Sequence, residues 1–400
     1  MRTSPLLVAA LACLPAAAWA QLGPARAGSL AQADNASTAS SNPAGLTRIG
    51  QQQFVLDTMV TYSDNEFEVK PGTTTSGGDP DNDPEWGGIP SLAWSRPMSE
   101  KLWAGFSVSV PAGIGTDYGD TWAGRYQAQS SSLFFVNLNP VLAWKVTDKL
   151  SLGAGVAAIY ASFDSEVAVN NPAPGAPDGQ MDLELSGWGF GGNVAALYEP
   201  SERTRFGLSY RLESEPRLEG RPDFSGLPPA ITGPLRQKIK LDLTVPQMVL
   251  GGFYHELRPD LAVMGDLAWI DFSEFGTVDL SVGPVSTTVD SHYDDIWAGS
   301  LGVRHVISER WAASLGYAYV SSGVDDHNRT LALPWDDFHI AGAGVEYQLR
   351  PSLRLFTSLS YVQSGDGSVD QTATPLSGRL VGEFTQRRTF LLSVALVWDR

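Results

Sequence analysis

Along most of this 400-residue chain, side-chain character changes at every second residue. In 311–320, Trp311, Ala313, Leu315, Tyr317 and Tyr319 alternate with Ala312, Ser314, Gly316, Ala318 and Val320, so one face is large and apolar and the other small. Residues 390–398 set Phe390, Leu392, Val394, Leu396 and Trp398 on one face, and 150–160 repeats the pattern. In 237–245, Ile239, Leu241, Leu243 and Val245 face one way and Lys238, Lys240, Asp242 and Thr244 the other. Period two means strands, each with one greasy face. The connectors are of two kinds, and they take turns. Tight turns fall at 97–101, 147–149, 199–204, 257–260, 307–310 and 349–352. Long polar stretches fall at 64–88, 115–130, 165–182, 219–236, 283–290, 321–335 and 365–384. Thirteen connections join fourteen strands. An even count, with long loops at one end and short turns at the other, predicts an all-β, antiparallel transmembrane barrel with both termini on the short-turn side.

No segment has 18 consecutive apolar residues, so a membrane can be crossed here only by strands, which need about 9–11 residues each. A soluble β-sandwich or propeller explains the alternation but not the loop asymmetry. Nor does it explain the aromatic residues Trp94, Trp103, Trp144, Trp269, Trp297, Trp311, Tyr347 and Trp398, which fall near strand ends as interface girdles do. The net charge of −17 excludes a nucleic-acid binder, and the lone cysteine excludes a disulfide scaffold or a Cys-rich metal site. Residues 1–20 read as a signal peptide, with Arg2, an apolar core at 6–14 and the small-x-small site Ala18-Trp19-Ala20. A lipoprotein reading of Cys13 fails because Ala10 stands where leucine is wanted. Residues 21–50 are small and mostly uncharged, and a fourteen-stranded barrel is wide enough for them to enter as a hatch. The division expected is therefore signal peptide 1–20, hatch 21–50 and barrel 51–400.

Motifs of catalysis and cofactor binding do not survive their context. Residues 187–192, GWGFGG, fit a dinucleotide fingerprint but lie inside an alternating strand, where small residues make room in the lumen. Asp79, Asp81 and Asp83 start like a calcium loop, yet Pro84 and Pro90 stand where glycine and glutamate are required. That leaves a solvated acidic loop or a loose divalent-cation site. The five histidines have no ligand spacing, and no nucleophile elbow occurs. The chain is expected to be no enzyme, to have no cofactor and to have no dedicated metal site.

Several motifs, in order and at the right spacing, resemble those of the FadL-like outer-membrane transporters of long-chain fatty acids and other hydrophobic compounds. The leader 33–38 followed by Asn42-Pro43-Ala44-Gly45-Leu46 is similar to the family's hatch signature. Residues 113–127 look like its third strand and second loop, and 137–140 with 150–155 like its fourth and fifth strands. Residues 187–192, 266–275 and 334–339 match later ones. The resemblance covers nearly the whole mature chain. It implies a fourteen-stranded barrel with an internal hatch, and a kink in the third strand that opens the wall. That kink falls at Pro111 and Gly113; proline donates no hydrogen bond, and glycine in a strand weakens it. The implied mechanism is passive. Substrate lands among the outer loops, passes to a lumen pocket and leaves sideways into the membrane.

Fatty-acid-carrying relatives place basic residues near the pocket, where this chain has Val167 and Asp294. Lumen-facing cations that can replace them by alternation are Lys238, Lys240, Arg205, Arg211 and Arg304. Long-chain fatty acids are the expected cargo. The alternatives are neutral aromatic hydrocarbons by the same route, or a structural or general-diffusion barrel, which would need neither hatch nor kink. Expected partners are the hydrophobic substrate, outer-membrane lipids and lipopolysaccharide, with no nucleic acid and a monomeric state.

Overall fold

The computed structural model describes residues 24–110, 113–173, 175–372 and 378–400. The signal segment 1–20 and Pro111 lie outside the described residues. Strands dominate: β1 Gln53–Val69, β2 Glu85–Pro97, β3 Leu102–Ser109, β4 Gly113–Asp117, β5 Ser130–Lys145, β6 Leu150–Val169 and β7 Gly179–Ser201. Then follow β8 Thr204–Arg211, β9 Arg217–Ser225, β10 Ile239–Asp242, β11 Met248–Arg258, β12 Leu261–Ile270, β13 Thr277–Val282 and β14 Val285–Asp290. The last are β15 Ile296–Val306, β16 Trp311–Val320, β17 Phe338–Arg350, β18 Leu353–Ser364, β19 Gly367–Thr372 and β20 Arg379–Asp399.

These segments build fourteen antiparallel staves, because six staves are each made of two segments with an irregular joint. Thus β7 pairs with β8 at one end, Val194 opposite Tyr210, and with β9 at the other, Leu183 opposite Pro222. The sheet closes where β1 meets β20, from Gln53 opposite Asp399 to Val69 opposite Gly382. Closure removes free edges, which hydrocarbon does not tolerate. Among the described residues no helix is long and apolar enough to cross a membrane. The glycines of 187–192 sit where the joint between β8 and β9 folds inward: a Cβ on Gly189 would stand 2.6 Å from Pro216 N.

The wall has two bands. Toward the short turns, Leu56, Leu142, Leu152, Val156, Leu208, Leu267, Leu301 and Leu392 point outward and are exposed. Aromatic residues fringe this band: Trp144, Trp311 and Trp398 below, Trp86, Trp188 and Trp297 above. Between Phe134 and Trp144 the strand climbs roughly 33 Å along its length, or about 25 Å along the barrel at the usual tilt, which is the height of a bilayer's apolar core. Trp311 packs on Tyr347 at 4.3 Å and Tyr62 on Trp86 at 4.9 Å, cross-strand pairs that stiffen the fringe. Trp103 departs from the girdle expected of it. It is 7% exposed and points inward, its Nε1–H donating to Ile49 O at 2.8 Å.

Above the upper fringe the staves continue past the membrane band. The long loop expected at 283–290 is a hairpin instead, β13 with β14, turning at Gly283 with φ +57°. Its Val/Thr-rich alternation is strand chemistry carried on a polar surface.

Candidate functional site

In the turn half, residues 24–50 fill the lumen with short helical turns, Ser29–Gln32, Thr38–Ser41 and Pro43–Arg48 among them. Such short turns leave carbonyls without intrahelical partners, and the wall supplies donors. Arg205 donates to Gln32 O at 2.9 Å, Arg211 to Ser40 O at 3.0 Å, Ser314 to Ala25 O at 2.9 Å and Arg354 to Asp34 O at 3.0 Å. Arg26 pairs with Asp57 at 2.6 Å. Asn42 donates to Leu30 O at 2.9 Å and Ala196 O at 3.3 Å, so it ties the segment to itself and to the wall. Pro43 and Ala44 follow it, fully buried against the wall. The fit requires glycine: a Cβ on Gly153 would stand 2.6 Å from Pro43 C, and one on Gly207 2.6 Å from Leu30 O.

The loop half has the opposite interior. Leu133, Phe135, Phe163, Leu183, Leu218, Ile239, Leu241, Leu243, Phe272, Leu280 and Trp335 form one buried apolar cluster. Part of it comes from residues 321–337, which fold into the barrel mouth and bury Val324, Ala332, Leu333 and Trp335. Arg329 pins this loop: it pairs with Asp326 and with Asp336 at 3.3 Å, and donates to Trp335 O at 2.9 Å. Burial pushes the Asp336 carboxyl above its ordinary range, against the Asp337 N–H and Arg329, which pull it down.

Below that loop opens a cavity of about 440 Å³. Leu333, Trp335, Phe338 and Ile340 line its inner side, and Val110, Gly113, Phe134 and Trp86 its outer side. Trp86 is 73% exposed on the barrel exterior, so the cavity runs through the wall. It does so where pairing stops. β2 pairs with β3 only from Pro97 opposite Trp103 to Leu92 opposite Val108. β3 ends at Ser109, β4 resumes at Gly113, and β4 pairs with β5. Among the described residues, 85–91 of β2 has no partner on that side. A Cβ on Gly113 would meet Phe134 Cδ2 at 3.4 Å, ordinary contact, so space rather than backbone strain marks this position.

The expected cations fall elsewhere. Lys238 and Lys240 do not face the lumen. Both are exposed on the outer surface and pair with Glu219, while Ile239 and Leu241 point inward. This segment stands above the membrane band, where water lies outside and the apolar cluster inside, so the greasy face turns in. Arg211 and Arg304 face inward but not onto this cavity. Arg211 holds the hatch, and Arg304 grips Glu346 with bonds of 3.0 and 2.8 Å. Arg205 is stacked over Tyr254 at 4.1 Å. Val167 packs with Met181 and Phe224, and Asp294 is exposed. The cation lining the cavity is Arg387, 7% exposed. Its signal in the sequence is the pair Arg387-Arg388: adjacent residues of a strand face opposite sides, so one of the two points inward. Arg388 is the outer one, bonded to Asp64 at 2.7 Å. Among the described residues no group of three or more acidic, His or Cys side chains is placed to hold a metal ion, and Asp79 of the acidic loop accepts the Val69 N–H at 2.7 Å.

The family model described as outer membrane protein transport protein (OMPP1/FadL/TodX) matches residues 4–394. The long-chain fatty acid transport protein of Salmonella typhi is 26% identical over 411 residues, covering 92% of this chain and 93% of that one. Among solved structures, a Pseudomonas aeruginosa FadL homologue superimposes with a TM-score of 0.83 at 20% identity, covering 97% of this chain and 99% of its own. The Ralstonia pickettii toluene transporter TbuX does so with 0.68 at 19% identity, covering 94% and 98%.

Proposed function

The chain belongs to the OMPP1/FadL/TodX family of bacterial outer-membrane transporters of hydrophobic compounds, and we propose that within it the protein carries long-chain fatty acids passively, releasing them sideways into the membrane between β2 and β4. The observation that carries this reading is the cavity that joins the apolar lumen to the lipid face through the unpaired edge of β2. An open strand edge is costly in hydrocarbon because its N–H and C=O groups have no water to turn to. An edge left open beside a cavity therefore marks a passage. Each methylene kept out of water is worth about 0.8 kcal/mol. A route that keeps an apolar wall from the cluster under loop 321–337 to the bilayer retains most of that gain, so no energy source is needed. Fatty acids are favoured because the curated relatives bear that name and because a cation lines the cavity. A second reading, neutral aromatic hydrocarbons, is favoured by Val167 and Asp294, which replace cations expected from the resemblance.

The test is Gly113→Arg, with Gly113→Ala as its control, read by uptake of labelled oleate and by heat-modifiable migration on gels. A folded arginine variant is expected to take up oleate no better than cells lacking the protein, while the alanine variant, which makes only ordinary contact with Phe134, transports normally. Normal uptake by the folded arginine variant would rule out this exit. Toluene uptake by the wild type in place of oleate uptake would select the second reading.

A further inference from the structure

We propose that Arg387 is the headgroup anchor of the lateral cavity, a site for the ionised carboxylate of a single-chain amphiphile, and that the anion binds by taking the place of the Pro334 carbonyl. This rests on the cavity being the cargo route, as read above. The guanidinium donates through Nη2 to Pro334 O and through Nη1 to Gly365 O at 3.2 Å, and it lies over the Phe384 ring at 5.3 Å. Among the described residues no carboxylate comes within 4.0 Å of it. Inward-facing Arg26, Arg205, Arg304 and Arg329 each have such a partner, whereas Arg211, which has none, is taken up by the hatch carbonyl Ser40 O and lies away from the cavity. Glu85 is the acidic side chain of the cavity lining, and its carboxylate accepts the Asp117 N–H at 2.8 Å.

Asp336 and Asp366 act on Arg387 only from beyond that distance, so a buried cation whose direct bonds go to neutral carbonyls recovers only part of its desolvation cost. A guanidinium offers five donors in a planar fork that matches a carboxylate with two parallel bonds, each stronger than a bond to a neutral acceptor. An arriving carboxylate therefore outcompetes the Pro334 carbonyl. Because Pro334 belongs to the loop that walls the cavity with Leu333 and Trp335, the exchange also frees that wall.

The experiment compares oleate with oleyl alcohol, binding to purified full-length protein in detergent at a pH where the carboxylate is ionised. The wild type is expected to bind oleate more tightly than the alcohol. Arg387→Gln should weaken oleate about ten- to a hundredfold, the range for a hydrogen bond to a charged group, and leave the alcohol unchanged. Arg387→Lys should keep most of the preference. Faster amide exchange in 331–337 on adding oleate, but not the alcohol, is the expected sign of the freed wall. Equal loss of both ligands in Arg387→Gln would reduce the residue to a structural tie and overturn the proposal. A wild type that binds the alcohol as tightly as oleate would overturn it with no variant at all. Failure here is separable from failure of the exit route: Gly113→Arg reports on uptake, and the ligand pair reports on the anchor.

Discussion

The turn half and the loop half of this barrel use the same alternation with opposite sense. In the turn half Leu301 points out and is 65% exposed, while Ser300 beside it faces the hatch side and is buried. In the loop half Lys240 points out, and Leu241 beside it faces in and is 2% exposed. The backbone is alike in both. What differs is the medium on each side: lipid outside and a polar plug inside in one half, water outside and an apolar chamber inside in the other. Alternation reports that a strand has two faces, and the surroundings decide which is inner.

The largest effect separating the halves should come from removing the plug. Deletion of 21–45 is expected to turn a protein with little current in planar bilayers into one with a steady open pore, since it removes the short helical turns that fill the lumen of the turn half. Equal conductance before and after would mean the hatch does not seal the channel. Next is Leu241→Ala, expected to cost about 2–5 kcal/mol for the cavity it leaves, read from equilibrium unfolding in urea. A loss below that range would mean that the loop-half chamber is loosely filled. Leu301→Arg should cost about 2–4 kcal/mol as a charge on the lipid face. If the same assay finds it neutral, the membrane band has been placed too far toward the loops. Smallest is Lys240→Leu, expected within about 0.5 kcal/mol of wild type, because an exposed ion pair with Glu219 contributes little. A large change there would put lipid, not water, beside the loop half.

The site was only partly legible. Asn42, Pro43 and Ala44 follow from the resemblance of a short motif to a family signature, and Pro111 with Gly113 from the kink that the same resemblance implies, to which the chemistry of proline and glycine in a strand lends sense. Their roles needed contacts: Asn42 bonds to Leu30 and Ala196, residues 12 and 154 positions away. Arg387 does not stand out along the chain, because its strand carries a second arginine and a bulge opposite Glu66 and Phe67 shifts the facing beyond it. Trp335 and Leu333 lie in a polar loop whose inward fold no periodicity announces.

By itself the sequence determined the strand period, the fourteen staves and the ends at which they turn. Those properties follow from side-chain alternation and turn chemistry, which act over a few residues. Only the tertiary structure decided which face of each strand is inner, which arginine meets the cavity and where the wall stays unpaired. Each of these depends on what lies across the barrel or outside it. The free energy of placing Lys240 or Leu241 inside is set by lipid, water or the apolar chamber, and none of these is written into the residue's neighbours along the chain.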